Sequence, residues 1–342
     1  MSTAKAIGIV AGIALALAIL TLTAQVLLLV FAGILLAILL RAVANAIDAG
    51  SGIGPGWSLA AALSGIVLAV GLGAWLLLPD ILSQSRELID QLPRGWDELQ
   101  QRLSGIFGNT GMIDYAFDRV ASPSRSAMQD IVGGVFGVVS GTIGVLGSGL
   151  VILFTAIYLA ADPQTYRSGL IRLVPPVHRD RARQIADEVG RALMWWMVGK
   201  IIAMALIGVL TYLGLWALGM PLALSLALIA ALLTFVPNFG PIIAAAPAVL
   251  IALGDGLNQA ALVVLLYVAV QAVESYVVTP LIQQRTISMP PALTLAMQLV
   301  AAVLLGVLGL ALATPLTAAG IVLIRELYVK GMLERDASQK DG

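Results

Sequence analysis

The chain of 342 residues has no cysteine and a single histidine, His178. Without thiols there is no disulfide and no thiolate metal site, and a lone imidazole in a polar loop has no second histidine with which to share a metal. No metal or other cofactor is expected. Charge is scarce, at 11% of residues, and balanced, with 19 basic against 19 acidic side chains. Nothing in it points to nucleic acid or to steering of one class of charged ligand. Walker A, His-Glu-x-x-His, Gly-x-Ser-Gly and Gly-x-Gly-Asp sequences are all missing, which argues against an enzyme.

What remains is apolar. Hydrophobic residues make up 60% of the chain, and mean hydropathy is +0.99. Those values lie far outside the range of soluble domains and predict an all-α polytopic membrane protein whose partner is the lipid bilayer. Ala6–Leu22 and Ala24–Leu40 are each long enough to cross, flanked by Lys5 and Arg41, and are expected to form a helical hairpin rather than a cleaved signal. A third span, Trp57–Leu78, carries Trp57 and Trp75 near its ends as interfacial anchors.

From Asp80 to Asp130 eight acidic residues (Asp80, Glu87, Asp90, Asp97, Glu98, Asp114, Asp118, Asp130) stand against five arginines (Arg86, Arg94, Arg102, Arg119, Arg125). Leu92, Trp96, Leu99, Leu103 and Ile106 form one face of an amphipathic helix, suited to the membrane surface or to a neighbouring subunit. The fourth span, 131–161, has a stripe of Gly133, Gly137 and Gly141 that permits close helix packing. The most basic segment, 162–194, reads as a surface helix leading into a fifth span, Trp195–Leu218. The arginines place both termini, Arg41 and the 162–194 segment in the cytoplasm and the acidic insert outside.

The stretch Phe235-Val236-Pro237-Asn238-Phe239-Gly240-Pro241, continuing to Pro247, cannot be one continuous helix. A break at membrane depth must face protein or water, since each unpaired backbone group in lipid costs several kcal/mol. A sixth span follows, from about Asn258 to Ile282, and then a second long apolar run, Met289–Ile324, interrupted by Gly306, Gly309 and Pro315. An offset of 69 residues superposes Met220, Pro221, Ala223, Leu224, Leu226, Ala227 and Gly240 on Met289, Pro290, Ala292, Leu293, Leu295, Ala296 and Gly309. The two runs therefore read as a repeat, each unit a crossing helix and a helix-break-helix segment. Two topologies fit. If each segment is re-entrant the units are inverted, as in secondary transporters; if each is one kinked span, Arg285 falls outside.

Glu274 is the one acidic residue well inside an apolar span, with Gln271 three residues earlier on the same face. It must be paired, protonated or wet, and Lys200 in the fifth span is its natural partner, so both an ion pair and an ion- or substrate-binding role are open. Thr279-Pro280, Gln298 and Thr314-Pro315 can add hydroxyl, amide and freed carbonyl ligands.

Phe235–Pro241 running on to Leu253, Val273-Glu274 through Thr279-Pro280 to Pro290-Pro291, and Gly306, Gly309 and Ala313–Leu316 together resemble the AI-2E family of bacterial inner-membrane proteins. The resemblance implies export of the quorum-sensing signal autoinducer-2 or another small polar solute by a homo-oligomer, pentameric where members have been seen. Some relatives are described instead as sodium/proton antiporters, which would make H+ or Na+ a ligand. By the same resemblance Pro237, Gly240 and Pro241 match the family's hairpin motif, and Glu274 and Pro280 its next motif. Lys200 departs from the uncharged polar residue expected in many relatives, which favours an ion pair with Glu274.

The expected organisation is N-terminal transmembrane helices over 1–79, an extracytoplasmic amphipathic insert over 80–132, a Gly-rich helix over 133–161 and a basic amphipathic helix over 162–194. A transport core with two hairpins then occupies 195–328, and a cytoplasmic tail 329–342. The expected site comprises Pro237, Asn238, Gly240, Pro241, Gln271, Glu274, Thr279, Pro280, Gln298 and Thr314, with Lys200 as the partner of Glu274. The rival to a secondary transporter is a membrane scaffold or channel-like oligomer.

Overall fold

A computed structural model describes residues 3–68, 143–280 and 289–327, with scattered positions between 71 and 101. The Leu92–Ile106 stripe, Gly133, Gly137 and Gly141, Arg285 and the tail beyond Leu327 lie outside the described residues. Among the described residues every regular element is helical. Among these same residues five helical stretches are, by length and composition, long and apolar enough to cross a membrane, and shorter apolar ones accompany them.

Helix α1, Thr3–Ser51, is a single element of 49 residues. The hairpin expected within it, with a turn between Leu22 and Ala24, does not form. Thr21-Leu22-Thr23-Ala24 contains no glycine or proline to leave the helix, and a turn there would leave backbone groups unpaired in apolar surroundings. At about 1.5 Å per residue the rod is about 73 Å long, more than twice the hydrocarbon thickness. It stops where Gly52 and Gly54 adopt positive φ, and Asp48 ties the turn down by accepting hydrogen bonds from the Gly54 N–H at 2.8 Å and the Ser58 hydroxyl at 3.3 Å. Helix α2, Pro55–Gly73, then begins on proline, whose missing N–H is harmless at a first position.

Helix α3, Ile143–Ala161, leads to Asp162, which caps α4, Pro163–Arg172, by accepting from the Thr165 N–H and hydroxyl. Those bonds hold the Asp162 carboxyl below the usual carboxylate range. A short 3-10 turn, Pro176–His178, passes the chain to α5, Arg179–Ala217, in which the expected surface helix and fifth span are one continuous element of 39 residues. The remaining elements are α6, Ala223–Leu233, α7, Phe239–Asp255, α8, Leu257–Val273, and α9, Pro291–Ile324.

The helices form two compact units. The first draws on residues 1–64, 147–197 and 285–342, the second on 65–146 and 198–284, so α5 runs through both. In the first unit α1 packs on α9, and Gly33 on α1 lies so close to Thr155 on α3 that a Cβ would fall 2.7 Å from its side chain. Arg181 near the start of α5 donates to both the carboxylate of Glu326, at 2.7 Å, and its backbone carbonyl, at 2.9 Å. Glu326, only 1% exposed, is thus part of the interior and not of a solvated tail.

Helix α9 folds back on itself. Gly306 has φ 67° and ψ −152°, and the Gln298 amide donates to the Thr314 hydroxyl at 3.4 Å across it. In a straight helix residues sixteen apart would be about 24 Å apart along the axis. The run 291–327 is therefore a hairpin with its tip at Gly306, not one crossing rod, and Pro315 sits inside its second arm.

In the second unit α6 and α7 form the other hairpin. Its tip is Thr234–Asn238, with Asn238 at φ 67°, and its arms pack through small residues such as Ala230, Ala244 and Ala248 against α8 and the end of α5. The turn spends most of its own donors: Thr234 N–H reaches Ala230 O, Val236 N–H reaches Leu233 O, Phe239 N–H reaches Pro237 O and Gly240 N–H reaches Val236 O. The backbone groups around Gly240 that sequence reasoning left unpaired are thus largely used within the turn. Pro241 falls in the first turn of α7, where proline is tolerated, and Pro247 is carried inside α7 without ending it. Outside the tip, Ser225 N–H near the start of α6 is capped by the Gln84 side-chain carbonyl at 3.2 Å, which supplies the acceptor that Leu222 at the N-cap cannot.

Both hairpins rest on a glycine. A Cβ on Gly240 would lie 1.8 Å from the Leu233 carbonyl oxygen, and one on Gly309 would lie 2.4 Å from that of Ala301. Gly240→Ala and Gly309→Ala are each expected to cost about 3 kcal/mol through overpacking against backbone. Gly254→Ala, with open space around it, is expected to leave stability unchanged or slightly raised; thermal unfolding of the purified chain in detergent checks all three.

Candidate functional site

Helix α8 does not end cleanly. At Glu274 the chain widens into a π-helical turn, Glu274–Val278, in which the Thr279 N–H reaches back to the Glu274 carbonyl. Such a turn re-aims the side chains around it and is common at functional positions. Here it presents Glu274 to Lys200 on α5, and the Lys200 ammonium lies 3.8 Å from the Glu274 carboxylate, with both side chains nearly buried, 9% and 12% exposed. The other carboxylate oxygen accepts from the Gln271 amide at 3.1 Å, and the same amide reaches the Ser275 hydroxyl at 3.4 Å.

The geometry follows from helical spacing. Gln271 and Glu274, three apart, share a face of α8, and Lys200 is buried on α5, as are Leu193, Trp196, Met197 and Ala203 of the same helix. A lone charge in these surroundings would be prohibitive; the ion pair offsets part of each charge's desolvation, and Gln271 hydrogen-bonds the carboxylate. The result is a short polar chain, Lys200–Glu274–Gln271, set among apolar helices. It can hydrogen-bond or exchange ions with a solute, and it can break only if something else replaces each partner.

The other expected residues fall in different places. Pro241 and Gln271 line one small cavity with Thr211, Thr234 and Tyr267. Asn238 is exposed at the hairpin tip, Pro237 half-buried and Gly240 buried. Thr279 is half-buried in the turn after Glu274 and Pro280 is exposed. Gln298 and Thr314 meet each other, as described, within the first unit, where Gln298 is fully buried and ties the two arms of α9 together. Among the described residues no group of His, Asp and Glu is arranged to hold a metal.

Sequence reasoning missed Thr211, Thr234 and Tyr267. A signal was there for two of them. Tyr267, Gln271 and Glu274 recur at four and three residues, and Lys200 and Thr211 are eleven apart, about three helical turns, so each set lies on one face.

Comparison with known proteins gives a consistent picture. A family model described as AI-2E family transporter matches residues 7–328. The chain is 27% identical over 259 residues to "Putative transport protein YrrI" of Bacillus subtilis (strain 168), covering 74% of this chain and 73% of that one. It is 22% identical over 286 residues to "Putative transport protein YueF" of the same organism, covering 82% and 76%. It is 25% identical over 256 residues to "Putative transport protein YhhT" of Escherichia coli (strain K12), covering 74% and 72%.

Removing one member of the pair strands the other. Lys200→Met and Glu274→Leu are each expected to destabilise the protein by about 3 kcal/mol, whereas the double variant, with neither charge, returns to within about 1 kcal/mol of the parent. A double-mutant cycle read by thermal unfolding measures the coupling, and additive losses would show that the pair does not form.

Proposed function

The chain belongs to the AI-2E family of transporters, and from that premise we propose that it is a secondary transporter of the bacterial inner membrane exporting a small polar solute. Autoinducer-2, the solute that the family resemblance implies, is the substrate we propose. The observation that carries this reading is the buried Lys200–Glu274–Gln271 chain in predominantly apolar helices. Burying two charges and an amide does little for stability that a well-packed aliphatic pair could not do, so a functional role accounts for them better. With its carboxylate engaged by Lys200 and Gln271, Glu274 is suited to give up a partner to a hydroxyl-bearing solute rather than to shuttle freely as a lone proton carrier. The polar groups we assign to solute or ion binding are Gln271 and Glu274, with Pro237, Asn238, Gly240 and Pro241 at the first hairpin and Thr279 and Pro280 after the π turn. Gln298 and Thr314 form the corresponding polar pair of the second hairpin.

Further parts of the reading rest on sequence. The arginine distribution supports cytoplasmic termini, and the family resemblance supports a homo-oligomer, pentameric in form. The hairpins' short arms, 11 residues in α6 against about 20 needed to cross, support re-entrant segments over kinked spans. Sodium/proton exchange is the second reading, favoured by a titratable carboxylate at membrane depth whose partner is a monovalent cation that Na+ could replace.

Flux in proteoliposomes separates the readings. Export predicts autoinducer-2 release without added sodium, reduced at least about tenfold by Glu274→Gln, a loss of about 1.4 kcal/mol in transition-state stabilisation. Proton movement that requires sodium and vanishes in Glu274→Gln would make the protein an antiporter instead. Release unaffected by the substitution would reduce Glu274 to a structural partner of Lys200.

A further inference from the structure

Between the first hairpin, α5 and α8 lies a cavity of about 10 Å³, lined by Thr211, Thr234, Pro241, Tyr267 and Gln271 among apolar neighbours. Two hydroxyls on its lining residues are conspicuous. Thr211 Oγ1 and the Tyr267 OH have no hydrogen-bond partner among the described residues, although the residues are only 1% and 9% exposed. Buried hydroxyls are rarely left unpaired, because each forfeits its hydration without return.

We propose that the cavity is a binding site for one water molecule, which joins the Thr211 and Tyr267 hydroxyls to the Lys200–Glu274–Gln271 chain and to the hairpin tip. Size meets the first requirement: about 10 Å³ is enough to hold about one water. Valence meets the second. Thr211 and Tyr267 each have a free O–H to donate. Thr234 has already given its proton to the Ala230 carbonyl at 2.6 Å, so its oxygen can only accept. Gln271 has committed its NH2 to Glu274, leaving its carbonyl as an acceptor. Two donors and two acceptors are the complement of a single water, which accepts two hydrogen bonds and donates two. A cation fits less well. The lining carries no charge, and the nearby carboxylate of Glu274 is held by Lys200. The water extends the polar chain from the ion pair to Thr234, at the break between α6 and α7, so that the state of the pair and the position of the hairpin are linked by hydrogen bonds.

This inference does not depend on the transport reading, and two measurements test it on the purified full chain. The first is thermal unfolding of Tyr267→Phe, Thr211→Val and the double variant. A bound water predicts that each single change lowers Tm by about 2 °C, and that the double loses less than the sum because both act on one water. A dry cavity predicts the reverse, since Tyr267→Phe then removes an unpaired hydroxyl, and an unchanged or raised Tm overturns the proposal. A sodium-dependent rise in Tm that Tyr267→Phe abolishes overturns it too, by making the occupant a cation. The second uses the unaltered protein and so survives any folding defect of a variant. X-ray radiolysis in H2(18)O should label buried Tyr267 at a rate approaching that of exposed Tyr276, because a trapped water is activated beside the ring; an unlabelled Tyr267 also overturns the proposal.

Discussion

An ammonium and a carboxylate 3.8 Å apart, nearly closed off from solvent, set the terms for the second unit. Each ion alone would carry a desolvation cost of several kcal/mol, and each is tolerable only because the other is there. That requirement fixes where α5 and α8 stand relative to each other at this level, since Lys200 and Glu274 must keep their approach. Gln271 donates to the other oxygen of the carboxylate, and the π turn beginning at Glu274 turns the residue toward its partner. Small side chains let the surrounding helices come close: Gly208 on α5 lies where a Cβ would touch Ala231 on α6, and Gly214 packs under Leu266 on α8.

The same demand for partners, applied to the backbone, shapes both hairpins. A reversal in apolar surroundings is stable only if its N–H groups are used, and the Thr234–Gly240 turn uses them internally. Each hairpin then closes on a glycine that meets a carbonyl of the opposite arm, Gly240 on Leu233 and Gly309 on Ala301. These two glycines are the pair that an offset of 69 residues superposes in the sequence, so shared geometry supports the repeat. A well-paired tip leaves little backbone free to bind anything. We propose that polar function therefore falls on side chains, on Lys200, Glu274 and Gln271 in one unit and on Gln298 and Thr314 in the other.

Much of this was legible before the structure. Hydropathy gave the membrane class, the Pro237–Pro241 cluster marked a real reversal, and the isolation of Glu274 pointed to Lys200. What was not legible depended on context that composition does not carry. Two adjacent apolar runs look alike whether they turn or continue, so α1 read as a hairpin. Three breakers, Gly306, Gly309 and Pro315, offered three places to reverse, and only the left-handed backbone of Gly306 identifies the tip. The burial of Glu326 was not legible because its partner, Arg181, is far away in sequence. Thr211 and Tyr267 escaped notice because a threonine and a tyrosine in apolar helices are ordinary until the structure leaves their hydroxyls unpaired in one cavity.

We propose that the Lys200–Glu274 pair exists for transport rather than for folding. The most direct test is autoinducer-2 flux through proteoliposomes carrying the neutral double variant, Lys200→Met with Glu274→Leu, after its unfolding temperature has been shown to match the parent's. The expected result is a folded protein that no longer moves the solute. A folded double variant with full flux would contradict it, leaving the pair as packing and placing the transport path elsewhere in the chain.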